Sequence, residues 1–406
     1  MQTGINLDHF IRTYVTKREE SLLKPDLEKF RPELKKRIDG KKILVIGGAG
    51  TIGSSYIKAI LKFNVSKLVV VDINENGLTE LVRDLRSSTG FNIPETFITY
   101  PVNFGDRVFE KILGEHGPFQ IVANFAAHKH VRSEKDIFSI EAMIENNVLR
   151  ARRLLDLLLN NPPEHFFCVS TDKAANPVNI MGASKKLMEE MIMSYAGRLP
   201  VTTARFANVA FSNGSLPLGF IERLNKQQPW SCPLGIRRFF VSPGESGELC
   251  LIASVLGEPG DIFYPILDEN HDMISFDNVA TDLLKYLGME ADICRSEDEA
   301  KLKAERLGEN SKKYPVYFFE SDTSGEKSFE EFYTDLEERD ERTFLRLGVI
   351  KNSVKKEKKE IDIIFERLQN LLESKNVTKS AIVEILKTYL PNFEHIEKGK
   401  GLDSKM

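Results

Sequence analysis

The sequence predicts an α/β protein: a Rossmann-type, doubly wound parallel sheet, followed by a smaller C-terminal substrate region, with helices added at both ends. Three observations predict it. Short apolar strands alternate with helical patterns from residue 41 to residue 211, the rhythm of a parallel sheet with crossover helices. The first strand runs into a glycine turn, "KKILVIGGAGTIG". An acidic residue, Asp72, ends the second strand, "KLVVVD".

The elements follow in order. Residues 1–40 are charged and helix-prone, with apolar positions at Leu22, Leu23, Leu27 and Phe30, and read as an appended helical arm. Residues 41–211 read as a dinucleotide-binding domain. Its later strands lie in "ETFITYPVN", "QIVANFAA" and "HFFCVST", with helices in "NGLTELVRDLRS" and "NNVLRARRLLDLLL". Residues 212–350 are turn-rich and read as a substrate-binding region over the sheet's carboxyl edge, where such folds bind ligands, partly returning to the sheet. The charge run "KNSVKKEKKE" opens a helical extension, 351–406. One of its helices presents Ile361, Ile364, Phe365, Leu368, Leu371 and Leu372, and the other Ile382, Ile385, Leu386, Tyr389 and Leu390. Both faces suit packing on the body or on a second subunit.

Composition narrows the function. The chain has 406 residues, 41% hydrophobic and 29% charged, with a net charge of −4. That is an ordinary globular balance, and it argues against a nucleic-acid partner. No apolar run reaches the length of a membrane span, and the N-terminus lacks the apolar core of a signal peptide. A cytoplasmic location is the expectation. Cys168, Cys232, Cys250 and Cys294 show no CxxC spacing, so reduced thiols and no zinc are expected.

The glycine turn carries chemistry. Gly47, Gly50 and Gly53 are spaced to let backbone approach a pyrophosphate at the N-terminus of the helix they open, which begins with Thr51 and Ile52. Asp72 is placed to accept hydrogen bonds from the adenosine ribose. Its carboxylate would repel a 2′-phosphate and no arginine follows it, so NAD is expected over NADP. The structural alternative is that Asp72 caps the helix beginning near Asn74.

The stretch "STDKAANPVNIMGASK" holds the reaction. Short-chain dehydrogenases carry a Tyr-x-x-x-Lys pair on one helix face and a Ser or Thr at the preceding strand end. Here Met181 and Lys185 occupy the pair and Thr171 the strand end, followed by Asp172 and Lys173. With "NFAAHKHV", "NNVLR", "RFANV", "GIRRFF" and "DTSGEKSFEE", this series resembles the UDP-N-acetylglucosamine 4,6-dehydratases of capsular-polysaccharide type. These are extended short-chain dehydrogenase/reductase proteins, some of which carry methionine in the tyrosine slot. The resemblance runs from about Lys41 to about Phe332.

The resemblance implies oxidation at sugar C4, elimination of water across C5–C6 and hydride return to C6. It also implies cofactor contacts from Asn103, Phe104, Ala126 and Ala127. Asn103 stands where relatives keep an adenine-contacting aspartate, and "RFANVAFSNGS" departs from the glycine-rich form at Ala207 and Phe211. Methionine has no proton to exchange. Asp172 is therefore expected to take the O4 proton and deliver it to the C6 hydroxyl. Lys173 is expected to act as the C5 base, Thr171 to hydrogen-bond O4, Lys185 to hold the nicotinamide ribose, and Met181 to pack on sugar or nicotinamide. The resemblance places Lys129, His130, Asn147, Asn208, Arg238 and Glu326 at the substrate. Lys129 and His130 also read as loop residues, Asn147 as a helix-start residue and Glu326 as a turn residue, and the adjacent Arg237 is the alternative to Arg238. His128 and His130 alone do not make a metal site. A homo-oligomer is expected by analogy. The rival readings are a C5-inverting or GDP-sugar dehydratase, a C4 epimerase, or a non-catalytic NAD- or nucleotide-sugar-binding protein.

Overall fold

The structure, a computed structural model, describes residues 4–129, 134, 136–308, 311–320, 331–351, 353, 356–391 and 393–395. An arm of α1 (Leu7–Phe10), a π turn at Ile11–Val15 and α2 (Lys24–Ile38) comes first. Then β1 (Lys42–Ile46), α3 (Thr51–Ile60), β2 (Lys67–Asp72), α4 (Glu75–Ser87), β3 (Thr96–Pro101), α5 (Arg107–His116) and β4 (Ile121–Asn124) alternate. They continue through α6 (Ile137–Ile144), α7 (Arg150–Leu158), β5 (His165–Val169), α8 (Ile180–Met193) and β6 (Val201–Ala204). The less regular half holds β7 (Asn208–Val209), α9 (Leu216–Asn225), β8 (Trp230–Pro233), β9 (Arg237–Val241), α10 (Pro243–Leu256) and β10 (Ile262–Pro265). After it come β11 (Met273–Ser275), α11 (Phe276–Tyr286), β12 (Glu290–Cys294), α12 (Glu297–Ala304), β13 (Lys313–Phe319), β14 (Glu338–Asp340) and β15 (Leu347–Lys351). Two helices close the described chain, α13 (Lys358–Glu373) and α14 (Lys379–Tyr389).

The main sheet has nine strands in the order β14-β15-β10-β6-β5-β4-β1-β2-β3. From β3 to β10 the pairs are parallel, and β15 runs antiparallel to β10. The chain order reverses between β1 and β4, which makes that crevice the switch point where doubly wound folds bind ligands. Alternate residues of each inner strand feed opposite cores. Leu44 and Ile46 join the core under α5–α8, and Ile43 and Val45 join the one under α2, α3 and α10. Burial on both faces explains why these strands read as continuous apolar runs.

The region from residue 212 divides. β10, β14 and β15 return to the main sheet, while β12-β13-β8 and β11-β9-β7 form two small sheets. These surround a third core that includes Trp230, Phe220 and Leu283. The arm ties the parts together. Phe10, Ile11 and Val15 enter this third core, and Leu22 and Leu23 enter the core on the α3 side of the main sheet. Arg18 bonds Glu245 at 2.8 Å and Asp272 at 2.7 Å.

The C-terminal helices pack on the body. Ile361, Ile364, Phe365, Leu368, Ile382 and Leu386 share a core with Leu187, Met188 and Met191 of α8. Arg152 of α7 bonds Asp362 of α13 at 2.6 Å. Among the described residues, no helix is long and apolar enough to cross a membrane.

Candidate active site

At the switch point the glycines have separate reasons. Gly47 has φ +77°, and a Cβ there would stand 2.5 Å from the Ala126 nitrogen. At Gly53 a Cβ would meet the Gly47 carbonyl oxygen at 2.2 Å, so this glycine lets α3 close on the turn. At Gly50, the residue before α3, an added Cβ meets only one atom at ordinary contact distance. The fold does not require glycine there, but a ligand approaching the backbone would. The N–H groups of Thr51, Ile52 and Gly53 form the first turn of α3, where intrahelical acceptors are lacking. The Thr51 hydroxyl accepts the Asn213 N–H at 2.9 Å.

A cavity of about 330 Å³ opens beside this turn. Gly47, Gly50, Asp72, Asn74, Asn103, Phe104, Ala126 and Ala127 line it. Thr51, Ile52 and Gly53 are not among its lining residues. Asp72 accepts the Ala49 N–H on one oxygen and the Asn74 N–H on the other, both at 2.9 Å. The cap of α4 is Asn74, whose Oδ1 accepts the Gly77 N–H. Asp72 therefore braces the glycine turn against β2. The residues present suit a dinucleotide in kind: glycine backbone in the wall, the N-terminus of α3 next to it in the chain, and a carboxylate at the end of β2.

Sequence reading missed His128, Asn146, Arg150 and Asn213 as lining residues. Asn146 lies in, and Arg150 just after, a π turn at Glu145–Leu149 where the helix between α6 and α7 widens, a feature that composition does not signal. Burial and the Arg150 charge lower the His128 pKa.

The residues expected to carry the reaction lie on the turn after β5 and the first turns of α8, and are not among those that line that cavity. One oxygen of Asp172 accepts the Thr171 hydroxyl at 2.8 Å, the Lys173 N–H at 2.9 Å and the Lys173 ammonium at 3.1 Å. Asp172 is only 5% exposed. This turn presses on α8 at Gly182, where a Cβ would stand 2.7 Å from the Lys173 carbonyl oxygen. Met181 is buried. Lys185 is buried too and donates to the Val169 carbonyl at 2.6 Å. Burial lowers its pKa, against the opposing charges of Cys168 and Glu189.

Beneath the turn lies a buried ion network. The Ser170 hydroxyl donates to Glu189 at 3.0 Å. Arg205, fully buried, bonds Glu189 at 2.6 Å and Glu337 at 2.7 Å. Burial alone would raise the Glu189 pKa, but Arg205 and Lys186 outweigh it and push it down to about 2.

The expected substrate residues are placed unequally. Asn147 is 1% exposed; its amide accepts the His128 N–H at 2.8 Å and donates to the His128 carbonyl at 2.9 Å and the Ser184 hydroxyl at 3.2 Å. It pins the loop after β4 to α8. Lys129 is exposed just beyond, with its pKa lowered by partial desolvation. Asn208 pairs with Phe240 across β7 and β9, two residues from Arg238, so all three share a sheet face. The Asn208 Nδ2 is buried without a hydrogen-bond partner among the described residues. Such a donor is costly to leave unsatisfied, by about 1–3 kcal/mol. Arg238 is buried and donates to the Arg237 carbonyl at 2.8 Å, while Arg237 is exposed. His130 and Glu326 lie outside the described residues.

Fold and site together define a Rossmann-type α/β protein with a glycine turn and cavity at the sheet's switch point and an Asp172–Lys173 pair just past β5. The chain belongs to the polysaccharide biosynthesis protein family, which it matches over residues 43–344. It is 36% identical over 230 residues to an uncharacterized membrane protein of Methanocaldococcus jannaschii, covering 55% of this chain and 66% of that one. It is 26% identical over 352 residues to the capsular polysaccharide biosynthesis protein CapD of Staphylococcus aureus, covering 86% of this chain and 54% of that one. The chain thus spans about half to two thirds of these relatives. In fold it is similar to Pen from Bacillus thuringiensis, with a TM-score of 0.64 and 18% identity over 87% of this chain and 98% of that one. It is also similar to DesIV, a dTDP-glucose 4,6-dehydratase from Streptomyces venezuelae, with a TM-score of 0.54 and 18% identity over 72% and 88% of the two chains.

Proposed function

We propose that the protein is an NAD-dependent nucleotide-sugar 4,6-dehydratase that converts UDP-N-acetylglucosamine to a UDP-4-keto-6-deoxy sugar. The observation that carries this reading is the Thr171–Asp172–Lys173 cluster, a hydroxyl and an ammonium converging on one buried carboxylate oxygen. An epimerase needs a base at O4 only; elimination also needs a base at C5 and an acid at the C6 hydroxyl. Asp172 and Lys173 supply both without a phenol. The dTDP-glucose 4,6-dehydratase named above, with NAD bound, supports the reaction class and the cofactor. The capsular polysaccharide relative supports a role in surface glycan synthesis.

Gly47, Gly50, the first turn of α3, Asp72 and Lys185 would hold NAD, and the carboxylate of Asp72 favours it over NADP. When bound, the nicotinamide supplies reversible hydride storage, so the reaction needs no external oxidant. Asp172 takes the O4 proton. This neutralises the carboxylate and removes the charge that favours the Lys173 ammonium, so the ammonium gives a proton to solvent and the neutral amine acts as the C5 base; it regains that proton from solvent once Asp172 is a carboxylate again. Asp172 then gives its proton to the departing C6 hydroxyl, which leaves as water. Lys173 returns its proton to C5. Asn208 and Arg238 would meet the diphosphate, Arg238 through its paired donors.

The test is incubation of the protein with UDP-N-acetylglucosamine in heavy water, followed by mass spectrometry and NMR. Loss of one water with deuterium at C5 is expected. No reaction with UDP- or GDP-linked sugars, in protein shown to carry NAD, would defeat the proposal and leave a non-catalytic binding protein.

A further inference from the structure

Met181 is held through its backbone, and the chain's C-terminal segment takes part in holding it. The Met181 N–H donates to Glu134 Oε1 at 2.9 Å. The Met181 carbonyl accepts the Ser184 hydroxyl at 2.8 Å, and Ser184 in turn meets Asn147. On its other side, Glu134 Oε2 faces His395 Nε2 at 3.8 Å, and the two side chains are only 10% and 11% exposed. A carboxylate at the N-terminus of α8 is favoured by the helix dipole, and an imidazolium beside it would add an ion pair.

His395 reaches this place because the extension is docked along α7 and α8. Leu390 and Phe393 enter the same core as Met181 and Leu187. Phe393 lies against the His395 ring, 6.0 Å between centroids. Lys356, ahead of α13, lies 3.3 Å from Glu190 of α8. The family match ends at residue 344, so this contact comes from a part of the chain that the family does not define.

The contacts form one series. His395 faces Glu134, Glu134 holds the Met181 N–H, and the neighbouring Gly182 carries the packing of the Lys173 turn. A tyrosine in the slot would be fixed by its own hydroxyl; methionine has no strong hydrogen bond to offer. Anchoring must then come through the backbone.

We propose that the C-terminal extension is a working part of the active site, with His395 a positioning residue that acts through Glu134 on Met181 and the first turn of α8. The role rests on the dehydratase reading above for its kinetic consequence, but its structural consequence can be read without substrate.

The test uses the full chain with NAD and compares His395→Gln, Glu134→Gln and the double variant. Hydrogen–deuterium exchange of the peptide over residues 179–187 is followed first, then turnover of UDP-N-acetylglucosamine. Both single variants are expected to exchange faster in that peptide alone, with melting temperature and NAD content retained. Their kcat should fall about ten- to a hundredfold, the scale of a small misplacement of reacting groups, with KM changed less. The double variant should be no worse than the worse single one, and Glu134→Asp should recover part of the loss. Unchanged exchange in His395→Gln would overturn the proposal. So would faster exchange across the whole chain with a lowered melting temperature, or losses that multiply in the double variant. If the wild type turned over no nucleotide sugar, the dehydratase reading would fall while the exchange result still decided this one.

Discussion

Asp72 and Asp172 both stand at the carboxyl edge of the same sheet, one at the end of β2 and the other just past β5. They are held in opposite ways. Asp72 is half-buried, and each of its oxygens accepts a backbone N–H. Asp172 is nearly buried, and one oxygen collects the Thr171 hydroxyl, the Lys173 N–H and the Lys173 ammonium. The first is fixed by backbone and needs only to present a charge. The second is fixed partly by groups that exchange protons. On the proposed reading, the nucleotide end is thus a matter of backbone shape, and the reaction end a matter of side chains that depend on one another.

The widest gap between the two is expected from matched amides. Asp172→Asn removes the proton carrier and should lower kcat about 10²–10⁴-fold while NAD stays bound. Asp72→Asn keeps an acceptor and should weaken NAD binding by about tenfold, with kcat at saturating cofactor little changed. Stopped-flow turnover and calorimetric NAD titration on both variants check this. Similar kinetic losses in the two would erase the distinction.

The reaction end also depends on what lies under it. Glu189→Gln leaves Arg205 buried beside a neutral partner and should destabilise the fold by about 3–5 kcal/mol, the cost of breaking a buried pair. The sign of the pH effect follows from the depressed Glu189 pKa, about 2 against an ordinary 4.5. Its stabilising contribution is complete above about pH 4.5 and is lost as pH falls toward 2. Urea unfolding from pH 7 down to pH 3 should show a steeper acid loss in the wild type than in Glu189→Gln.

At the nucleotide end, two glycines three residues apart separate fold from ligand. Gly47→Ala needs a side chain at φ +77° with backbone 2.5 Å away, so melting temperature should fall and NAD binding with it. Gly50→Ala meets only ordinary contact. Its melting temperature should hold while NAD affinity drops about tenfold or more, because the methyl group stands where the pyrophosphate approaches. Equal melting losses would show that Gly50 is also structural.

This difference sets what the sequence made legible. The cradle is local: a strand, "GGAGTIG", a helix and Asp72 lie within one βαβ unit, and periodicity with spacing places them all. The pair Asp172–Lys173 is also local, two neighbours just past β5, but its expected role comes from the motif series and not from spacing. Glu134 and His395 were not legible, because they meet 261 residues apart through helices whose apolar faces say only that they pack somewhere. Asn147 was placed at the substrate by its motif, but its amide holds the His128 backbone. Nothing in the spacing showed the π turn that puts it there, since a widened turn leaves composition unchanged.

The smallest expected effect tests the one departure at the nucleotide end. Asn103 Oδ1 accepts the Gly105 N–H at 2.9 Å, and an aspartate would keep that bond and the loop with it. What changes is the outer atom: a donor Nδ2 becomes a charged acceptor. The adenine amino group is a donor, so a charged acceptor suits it better than an amide, by about 1 kcal/mol, the margin between neutral and charge-assisted hydrogen bonds. Glu145, on the same cavity wall, opposes added negative charge and trims the gain. Asn103→Asp should therefore tighten NAD only about two- to fivefold, with unchanged melting temperature, when measured by calorimetry. A loss of affinity instead would mean that Nδ2 donates to an adenine ring nitrogen, and that the amide itself recognises the base.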